Sequence, residues 1–287
     1  MPFLLRWLSR RPLWLLHSLG SVLGWAAYLL SPSYRNRFRQ QVAQAGIDRS
    51  ARRAAIGHAG RMVAELPWLW LRPADADLAS CVTWHEQALV RDAHAQGRGV
   101  VFMTPHLGCF EVTAQAYAQM LAPGLAPITV LYRPARQAWL RALVGEVRQR
   151  PGLATAPASL AGVRQMIRAL RRGEMVGLLP DQVPPAGLGV WAPCFGRPAY
   201  TMTLAARLVQ QTGAIPLLVW GERLSHGAGY TVHVCAFDAA LPADPRAQAE
   251  SAAVVNRALE RLIRQCPQQY LWGYHRYKQP RASPGQD

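Results

Sequence analysis

The sequence predicts an α/β fold in which helices flank a mixed central sheet, preceded by an N-terminal hydrophobic helix suited to a membrane. From Gly97 onward, short apolar runs alternate with helical stretches, as expected for an α/β domain. Before that point, residues 13–30 form a long uncharged apolar segment. A chain of 287 residues can fold as one large domain. We therefore expect an anchoring helix with its basic flank over residues 1–40, a main domain over 41–280 and a frayed tail over 281–287.

The apolar segment has the length and the flanks of a membrane helix. As a helix its 18 residues would measure about 27 Å, close to the hydrocarbon thickness of a bilayer. Tryptophans and a tyrosine lie near its ends, and arginines precede and follow it. A cleaved signal peptide is disfavoured, because no small-x-small cleavage site precedes the following arginines. Three interpretations stay open: a spanning helix, a helix lying in the interface, and a buried core helix of a soluble protein.

Five apolar runs have the length and the flanking turn residues of β-strands. They cover residues 100–104, 127–132, 175–179, 215–221 and 230–236. Helices are expected between most of them, and the clearest has Ser159 as its N-cap and Gly173 as its stop. Asp244-Pro245 is expected to open the last helix, since proline loses no hydrogen bond at the first helical position. Residues 40–95 show an amphipathic helical pattern.

The composition is apolar and strongly basic. Hydrophobic residues make up 51% of the chain, charged residues 17%, and the formal net charge is +16. This excess of positive charge indicates a polyanionic neighbour, which could be nucleic acid, an anionic lipid surface or an acidic protein. The five cysteines are widely spaced without a C-x-x-C pair, which indicates reduced thiols rather than a disulfide framework or a zinc site.

A histidine at the end of the first predicted strand is the best candidate for catalysis. His106 follows this strand directly, and the carboxyl end of a strand in an open α/β sheet is where ligands usually bind. Glu111 lies five residues later, at the start of a helical run, and Gly108 gives the turn between them freedom. A histidine in this turn could fold back so that the carboxylate orients one ring nitrogen while the other accepts a proton. On spacing alone, a structural histidine beside an unrelated glutamate is the favoured interpretation, because H-x4-E is a weak pattern.

Several blocks of the sequence resemble one family when they are taken in order. The stretch from His106 to Glu111 is similar to the H-x4-D/E motif of the glycerolipid and lipid A acyltransferase superfamily. Its glutamate variant resembles the late lipid A acyltransferases, which include lauroyl and myristoyl transferases. The further blocks are Tyr132-Arg133-Pro134, Gly173-Glu174 with Leu179-Pro180-Asp181-Gln182, Phe195-Gly196 with Thr201, and Gln269-Tyr270-Leu271-Trp272 with Arg276-Tyr277-Lys278. The resemblance covers almost the whole chain and implies a glycerolipid acyltransferase-like fold over residues 41–280.

The resemblance also implies roles for particular residues. His106 would be the general base and Glu111 its partner. Arg133 and Arg150 would hold acceptor phosphates or stabilise the tetrahedral oxyanion, although Arg148 could serve in place of Arg150. Asp181 would support the site or contact the acceptor. No cofactor is expected, because a thioester donor is already activated.

The family's chemistry implies partners and a location. The donor would be acyl carrier protein, which is acidic, and the acceptor a hydroxyl of a lipid A precursor; both would be attracted by the positive charge. The enzyme would lie at the bacterial inner membrane with its active site at the cytoplasmic face. A lysophospholipid, an ornithine lipid or another glycolipid is the alternative acceptor. The acyl chain length, the acylated position and the oligomeric state do not follow from the sequence.

Other chemistries find less support in the sequence. It contains no Walker A loop, no G-x-G-x-x-G and no G-x-S-x-G nucleophile elbow. Cys109 could carry an acyl group, but its apolar surroundings favour a buried thiol. His226 and His233 lack ligand partners at metal-site spacing and are expected to be structural or exposed. A basic membrane-binding or nucleic-acid-binding protein without activity is the remaining alternative. Nucleic acid is not expected as a partner, because the aromatic residues cluster in hydrophobic stretches.

Overall fold

A computed structural model describes residues 2–73, 76–132 and 150–281. The N-terminal part of the chain is helical, and the apolar segment forms one continuous helix with the predicted limits. Ser31 ends this helix and caps the next, where its side chain accepts a hydrogen bond from the backbone N–H of Tyr34. The five N-terminal helices are α1 (Pro2–Ser9), α2 (Leu13–Leu30), α3 (Pro32–Gln44), α4 (Arg49–Ala64) and α5 (Leu66–Leu71).

Helix α2 packs closely on α4 through facing glycines. A Cβ atom added at Gly60 would lie 1.9 Å from the carbonyl oxygen of Gly20, so only glycine lets the two backbones approach this closely. The outer face of α2 is apolar and exposed; Leu30, for example, is 82% exposed. Within the described ranges, α2 is the one helix with the length and composition to cross a membrane.

The centre of the protein is a mixed sheet. Within the described residues its strands are β1 (Val82–His85), β2 (Val100–Met103), β3 (Ile128–Tyr132), β4 (Leu153–Pro157), β5 (Met175–Leu178), β8 (Ile215–Arg223) and β9 (Tyr230–Ala236). They lie in the order β1-β9-β8-β2-β5-β3-β4. Strands β8, β2, β5, β3 and β4 are parallel to one another, whereas β9 runs antiparallel to β8 and β1 is parallel to β9. A separate antiparallel hairpin consists of β6 (Gly189–Cys194) and β7 (Arg197–Met202).

Helices cover both faces of the sheet, so its side chains belong to two cores. Along β2 the side chains alternate: Val101 and Met103 lie in one core, whereas Val100 and Phe102 lie in the other. A π-helical turn (Tyr117–Leu121) and a 3-10 turn (Ala122–Gly124) continue helix α7 (Phe110–Ala116). The remaining helices of the described ranges are α6 (Ala88–Ala95), α7 (Phe110–Ala116), α8 (Leu160–Arg171), α9 (Leu204–Thr212), α10 (Gln248–Gln265) and two short 3-10 turns, Ser225–Gly227 and Pro267–Gln269.

The central α/β fold predicted from the sequence is confirmed, with local errors. The five predicted strands all occur, and the Ser159 hydroxyl accepts a hydrogen bond from the Gly162 N–H as the N-cap of α8. The last helix begins at Gln248 rather than at Pro245, because Asp244 accepts a hydrogen bond from Arg246 N–H in a turn before it. The prediction of a helical pattern throughout 40–95 missed β1, and β4, β6 and β7 were not predicted. The frayed tail was predicted for 281–287, of which 282–287 lie outside the described residues.

Candidate active site

His106 lies in a loop that connects β2 to α7. Strand β2 ends at Met103, and α7 begins at Phe110. Between them Gly108 has a φ angle of +58°, and a Cβ atom there would lie 2.0 Å from the carbonyl oxygen of Gly221 in β8. Only glycine fits this turn, because it needs both a left-handed backbone and close contact with the neighbouring strand. The loop therefore holds His106 at the carboxyl end of the parallel strands.

The ring of His106 is held by Asp181, which follows β5. The Nδ1 atom lies 2.9 Å from Oδ1 of Asp181, and the backbone N–H of His106 donates to Oδ2 over 2.9 Å. Both residues are almost fully buried. Burial acts to raise the pKa of the Asp181 carboxyl, but the His106 charge and the hydrogen bonds from its ring and backbone outweigh burial and lower the pKa. Asp181 is therefore ionised at neutral pH.

The protonation of the His106 ring follows from this contact. An ionised carboxylate can only accept hydrogen bonds, so Nδ1 of His106 carries the proton that it donates to Asp181. In the neutral ring, Nε2 then has a free lone pair. The side-chain amide nitrogen of Gln182 lies 3.2 Å from Nε2 and donates to it. The ring is thus oriented with its basic nitrogen toward Gln182, where an acceptor hydroxyl could take the place of the amide.

Aromatic side chains complete the surroundings of the His106–Asp181 pair. The ring of Tyr274 stacks on that of His106 at a centroid distance of 5.9 Å, and Phe110 approaches its edge at 5.0 Å. The hydroxyl of Tyr270 donates to Oδ2 of Asp181 over 3.3 Å. These groups restrict the imidazole on several sides, which is what a positioned general base requires.

A large, mostly apolar cavity of about 740 Å³ adjoins His106. Its lining includes Leu160 and Leu188, which are 77% and 56% exposed, and also Phe102 and Tyr117, which are buried in the core. The cavity therefore runs from the surface into the interior, and it has the size and lining of a site for a long apolar ligand.

Glu111 lines the same cavity but does not orient His106 through Nδ1. It is half-buried in the first turn of α7, with His106 in the loop before that helix. Nδ1 of His106 is held by Asp181, a carboxylate from a different part of the chain. The physical reason is topological: β2 and β5 are adjacent parallel strands, so the residues that follow them meet at the same edge of the sheet.

Of the two arginines predicted to bind substrate, the structure describes Arg150. Arg133 lies outside the described residues. The guanidinium of Arg150 donates to the carbonyl oxygens of Leu69, Trp70, Arg72 and Pro73 around the end of α5. These contacts place Arg150 at a helix C-terminus, where a cation satisfies exposed carbonyls and the helix dipole. Arg150 is not among the cavity-lining residues, so the structure does not bring it together with His106.

The other reactive side chains considered in the sequence have structural surroundings. Cys109 is 1% exposed, and burial together with Glu65 raises the pKa of its thiol well above the ordinary value, which disfavours a reactive thiolate. His233 lies 2.8 Å from the carboxylate of Glu222, and His226 is exposed.

Sequence reasoning did not single out Gln182 or the two tyrosines as site residues. Gln182 and Tyr270 do stand in the sequence blocks that suggested the family, directly after Asp181 and Gln269. Those blocks were the available signal, because neither residue type nor spacing alone connects positions 182 and 270 to a histidine at 106. Tyr274 lies between the two parts of the last block and carried no comparable signal.

An α/β fold with a carboxylate-oriented histidine beside a deep apolar cavity has the groups that general-base chemistry on a long apolar ligand requires. The sequence model of one protein family, the bacterial lipid A biosynthesis acyltransferases, matches residues 12–279. This chain belongs to that family.

Individual relatives are similar over shorter stretches. The chain is 28% identical over 224 residues to the lipid A biosynthesis lauroyltransferase of Escherichia coli K12, which covers 76% of this chain and 68% of the relative. It is 26% identical over 191 residues to the lipid A biosynthesis palmitoleoyltransferase of the same organism, and this match covers 66% of this chain and 59% of the relative. A lipid A biosynthesis acyltransferase of Haemophilus influenzae is 25% identical over 184 residues, and this match covers 64% of this chain and 55% of the relative. The matches thus span about three fifths of the relatives' length.

Proposed function

We propose that this protein is a membrane-associated O-acyltransferase that moves a fatty acyl group from acyl carrier protein to a hydroxyl of a lipid A precursor. The observation that carries the proposal is the orientation of His106, whose Nδ1 is held by Asp181 and whose Nε2 is basic, beside an apolar cavity. Family membership supports the reaction class, and the names of the relatives support lipid A as the acceptor.

In the proposed reaction the acceptor hydroxyl gives its proton to Nε2 of His106 as its oxygen attacks the thioester carbonyl. A C–O bond forms, and the carbonyl becomes a tetrahedral oxyanion. When this intermediate collapses, the C–S bond breaks and the leaving thiolate takes the proton from the imidazolium. Asp181 stabilises the imidazolium between these two steps, because its ionised carboxylate faces Nδ1.

Glu111 and Arg133 remain in the proposal as site residues with other tasks. Glu111 lines the cavity beside His106, where its carboxylate can contact the head of a substrate. Arg133 follows β3, two strands away from β2, and is proposed to bind an acceptor phosphate or the oxyanion. Arg150 is not proposed for either task, since it donates to backbone carbonyls at the end of α5.

The proposal also includes the acyl donor, the association with a membrane and the cellular location. The net charge of +16 suits both an acidic carrier protein and an anionic leaflet. The exposed apolar face of α2 supports membrane association at the bacterial inner membrane, with the active site facing the cytoplasm where carrier-bound acyl groups occur.

The experiment is an in vitro transfer assay with a panel of acyl carrier protein thioesters and a tetra-acylated lipid A precursor, comparing the wild type with His106→Ala. We expect transfer by the wild type and loss by a factor of about 10² or more in the variant, with folding and membrane binding unchanged. Near-normal transfer by the variant would overturn the mechanism. Transfer to a lysophospholipid, an ornithine lipid or another glycolipid, but not to the lipid A precursor, would replace the acceptor. Salt-sensitive DNA binding without any transfer would replace the enzyme proposal.

A further inference from the structure

The loop that carries His106 is held from two sides by backbone hydrogen bonds. On one side, the N–H of Cys109 donates to the carbonyl of Gly221 in β8 over 2.7 Å. On the other side, the N–H of Gly108 donates to the carbonyl of Gln269 over 3.0 Å, and the carbonyl of His106 accepts from the N–H of Leu271 over 3.0 Å. We call residues 269–271 the C-terminal brace.

The brace contacts both members of the catalytic pair. Its last residue bonds the backbone of His106, and its middle residue, Tyr270, bonds the carboxylate of Asp181. A displacement of the brace would therefore move the base and its orienting carboxylate together. The contacts that fix the brace therefore also fix the position of Nε2 of His106.

The side chain of Gln269 anchors the brace to the end of β8. Its Oε1 atom accepts hydrogen bonds from the backbone N–H of Arg223 over 2.9 Å and from Nη1 of Arg223 over 3.3 Å. Its Nε2 atom donates to the carbonyl of Arg223 over 2.9 Å. These three contacts occupy a buried side chain, and together they fix the register of the brace against β8.

The guanidinium of Arg223 is in turn fixed by a buried carboxylate. Its Nε and Nη2 atoms donate to Glu65 over 2.8 and 2.5 Å, and the side chains of both residues are fully buried. The hydroxyl of Tyr230 donates to Glu65 over 3.1 Å, and Nε2 of His17 lies 3.1 Å from the same carboxylate oxygen. Because His17 belongs to α2, polar contacts run without a gap from the apolar N-terminal helix to the His106 loop.

Stability alone gives little reason for this arrangement. Removing two charges from water costs about as much as their attraction returns, and apolar replacements of buried ion pairs are often neutral or stabilising. Directional hydrogen bonds do, however, select one register, which apolar packing selects less sharply. The Glu65–Arg223 pair is therefore better suited to setting a position than to holding the fold together.

We propose that Gln269, held by the buried Glu65–Arg223 pair, is a positioning residue that sets the place of His106 for proton transfer. It acts through the backbone of Gly108 and does not touch substrate. A displacement of about 1 Å in a reacting group can cost about 100-fold in rate, so small changes in the brace are expected to affect turnover. The proposal rests on the acyltransferase function proposed above.

The first test compares Gln269→Ala with a matched control, Asn256→Ala. Asn256 is also a buried amide with three hydrogen bonds, to Pro193, Thr201 and Arg276, but it lies in a different network. We expect both variants to lose similar thermal stability. Gln269→Ala should lower kcat about 10- to 100-fold with KM for the acyl donor within about twofold, whereas Asn256→Ala should keep kcat within about twofold. Equal kcat in the two variants would overturn the proposal.

The second test reads the position of His106 without any substrate. The 15N shifts of the His106 imidazole are measured in the wild type, in Gln269→Ala and in the double variant Glu65→Leu with Arg223→Met, in which the ion pair is replaced by apolar groups. We expect the ring shifts to change in both variants while the double variant remains folded. Unchanged shifts in a folded double variant would show that the pair is structural only. If the wild type transfers no acyl group to any acceptor, the proposed function fails, but these shifts still decide whether the brace positions the histidine.

Discussion

Asp181 lies as far beyond Leu178 in β5 as His106 lies beyond Met103 in β2, and Leu178 and Met103 are paired in register across these adjacent parallel strands. Parallel strands end at the same edge of a sheet, so equal offsets bring the two side chains together. The His106–Asp181 contact is thus a product of strand adjacency, whereas the histidine–glutamate pair expected from the motif is local in the sequence.

The first prediction compares the two candidate partners of His106. Asp181→Asn removes the charge that faces Nδ1 and allows the wrong ring tautomer, so kcat should fall by about 10²- to 10⁴-fold. Glu111→Gln should lower kcat less, because that carboxylate lines the cavity without holding Nδ1. The measurement is steady-state transfer with one acyl donor. A larger loss in Glu111→Gln would mean that the sequence motif describes the reacting complex better than the unliganded structure does.

The second prediction concerns Gly177, a cavity-lining glycine in the interior strand β5. A Cβ atom there would meet Val130 at 3.3 Å, a close contact that a small side-chain shift can relieve. Gly177→Val should therefore fold but fill part of the cavity, and the kcat/KM ratio of short to long acyl donors should rise about 10-fold or more. Competition between donors of increasing chain length measures this ratio. Ala154→Val, at an exposed position of β4, serves as the control. An unchanged ratio would mean that the acyl chain lies elsewhere.

The third prediction is a loss of stability at mildly acidic pH that originates from His58. Burial, together with the charge of Arg223, lowers the pKa of this imidazole to about 3 from its ordinary 6.5. The folded protein then keeps His58 neutral while the unfolded chain binds a proton, so the stability contribution is complete above pH 6.5 and declines as the pH falls below it.

The slope from this group cannot exceed about 1.4 kcal/mol per pH unit. His58→Gln should flatten the fall in unfolding free energy between pH 6.5 and 5.5, measured by denaturant titration. Asp181 and Glu65 add to the fall only at lower pH, because the unfolded chain protonates these carboxyls near their ordinary pKa values of 3.8 and 4.5. Substitution of the exposed His226 by glutamine should leave the slope unchanged. An identical slope in His58→Gln would contradict the prediction.

The fourth prediction tests the close contact between α2 and α4. Gly60→Ala places a methyl group against the backbone of Gly20, which should separate the helices and cost about 1–3 kcal/mol of stability. Thermal unfolding in detergent micelles measures the effect. Gly124→Ala is the matched control, because nothing lies within 4 Å of the added Cβ atom there. Equal melting temperatures for the two variants would show that α2 does not depend on this contact.

Residue patterns by themselves determined many, though not all, of the local elements of this protein. Residues 13–30 were predicted as one helix and form one, and the strand that ends before His106 was placed correctly to within one residue. These features depend on hydrophobic periodicity and on capping or turn residues, which act over a few positions of the chain. The ordered motif blocks likewise indicated the family, because each block can be read locally.

Only the tertiary structure decided which residues meet at the site. Asp181 reaches His106 because β5 pairs with β2, and Tyr270 reaches Asp181 because residues 269–271 lie beside the His106 loop. Strand order and the docking of a distant segment arise from the burial of whole faces of the sheet, so no pattern near position 106 encodes them. The same long-range packing places Arg150 at the end of α5 and connects His17 of the apolar helix to Glu65.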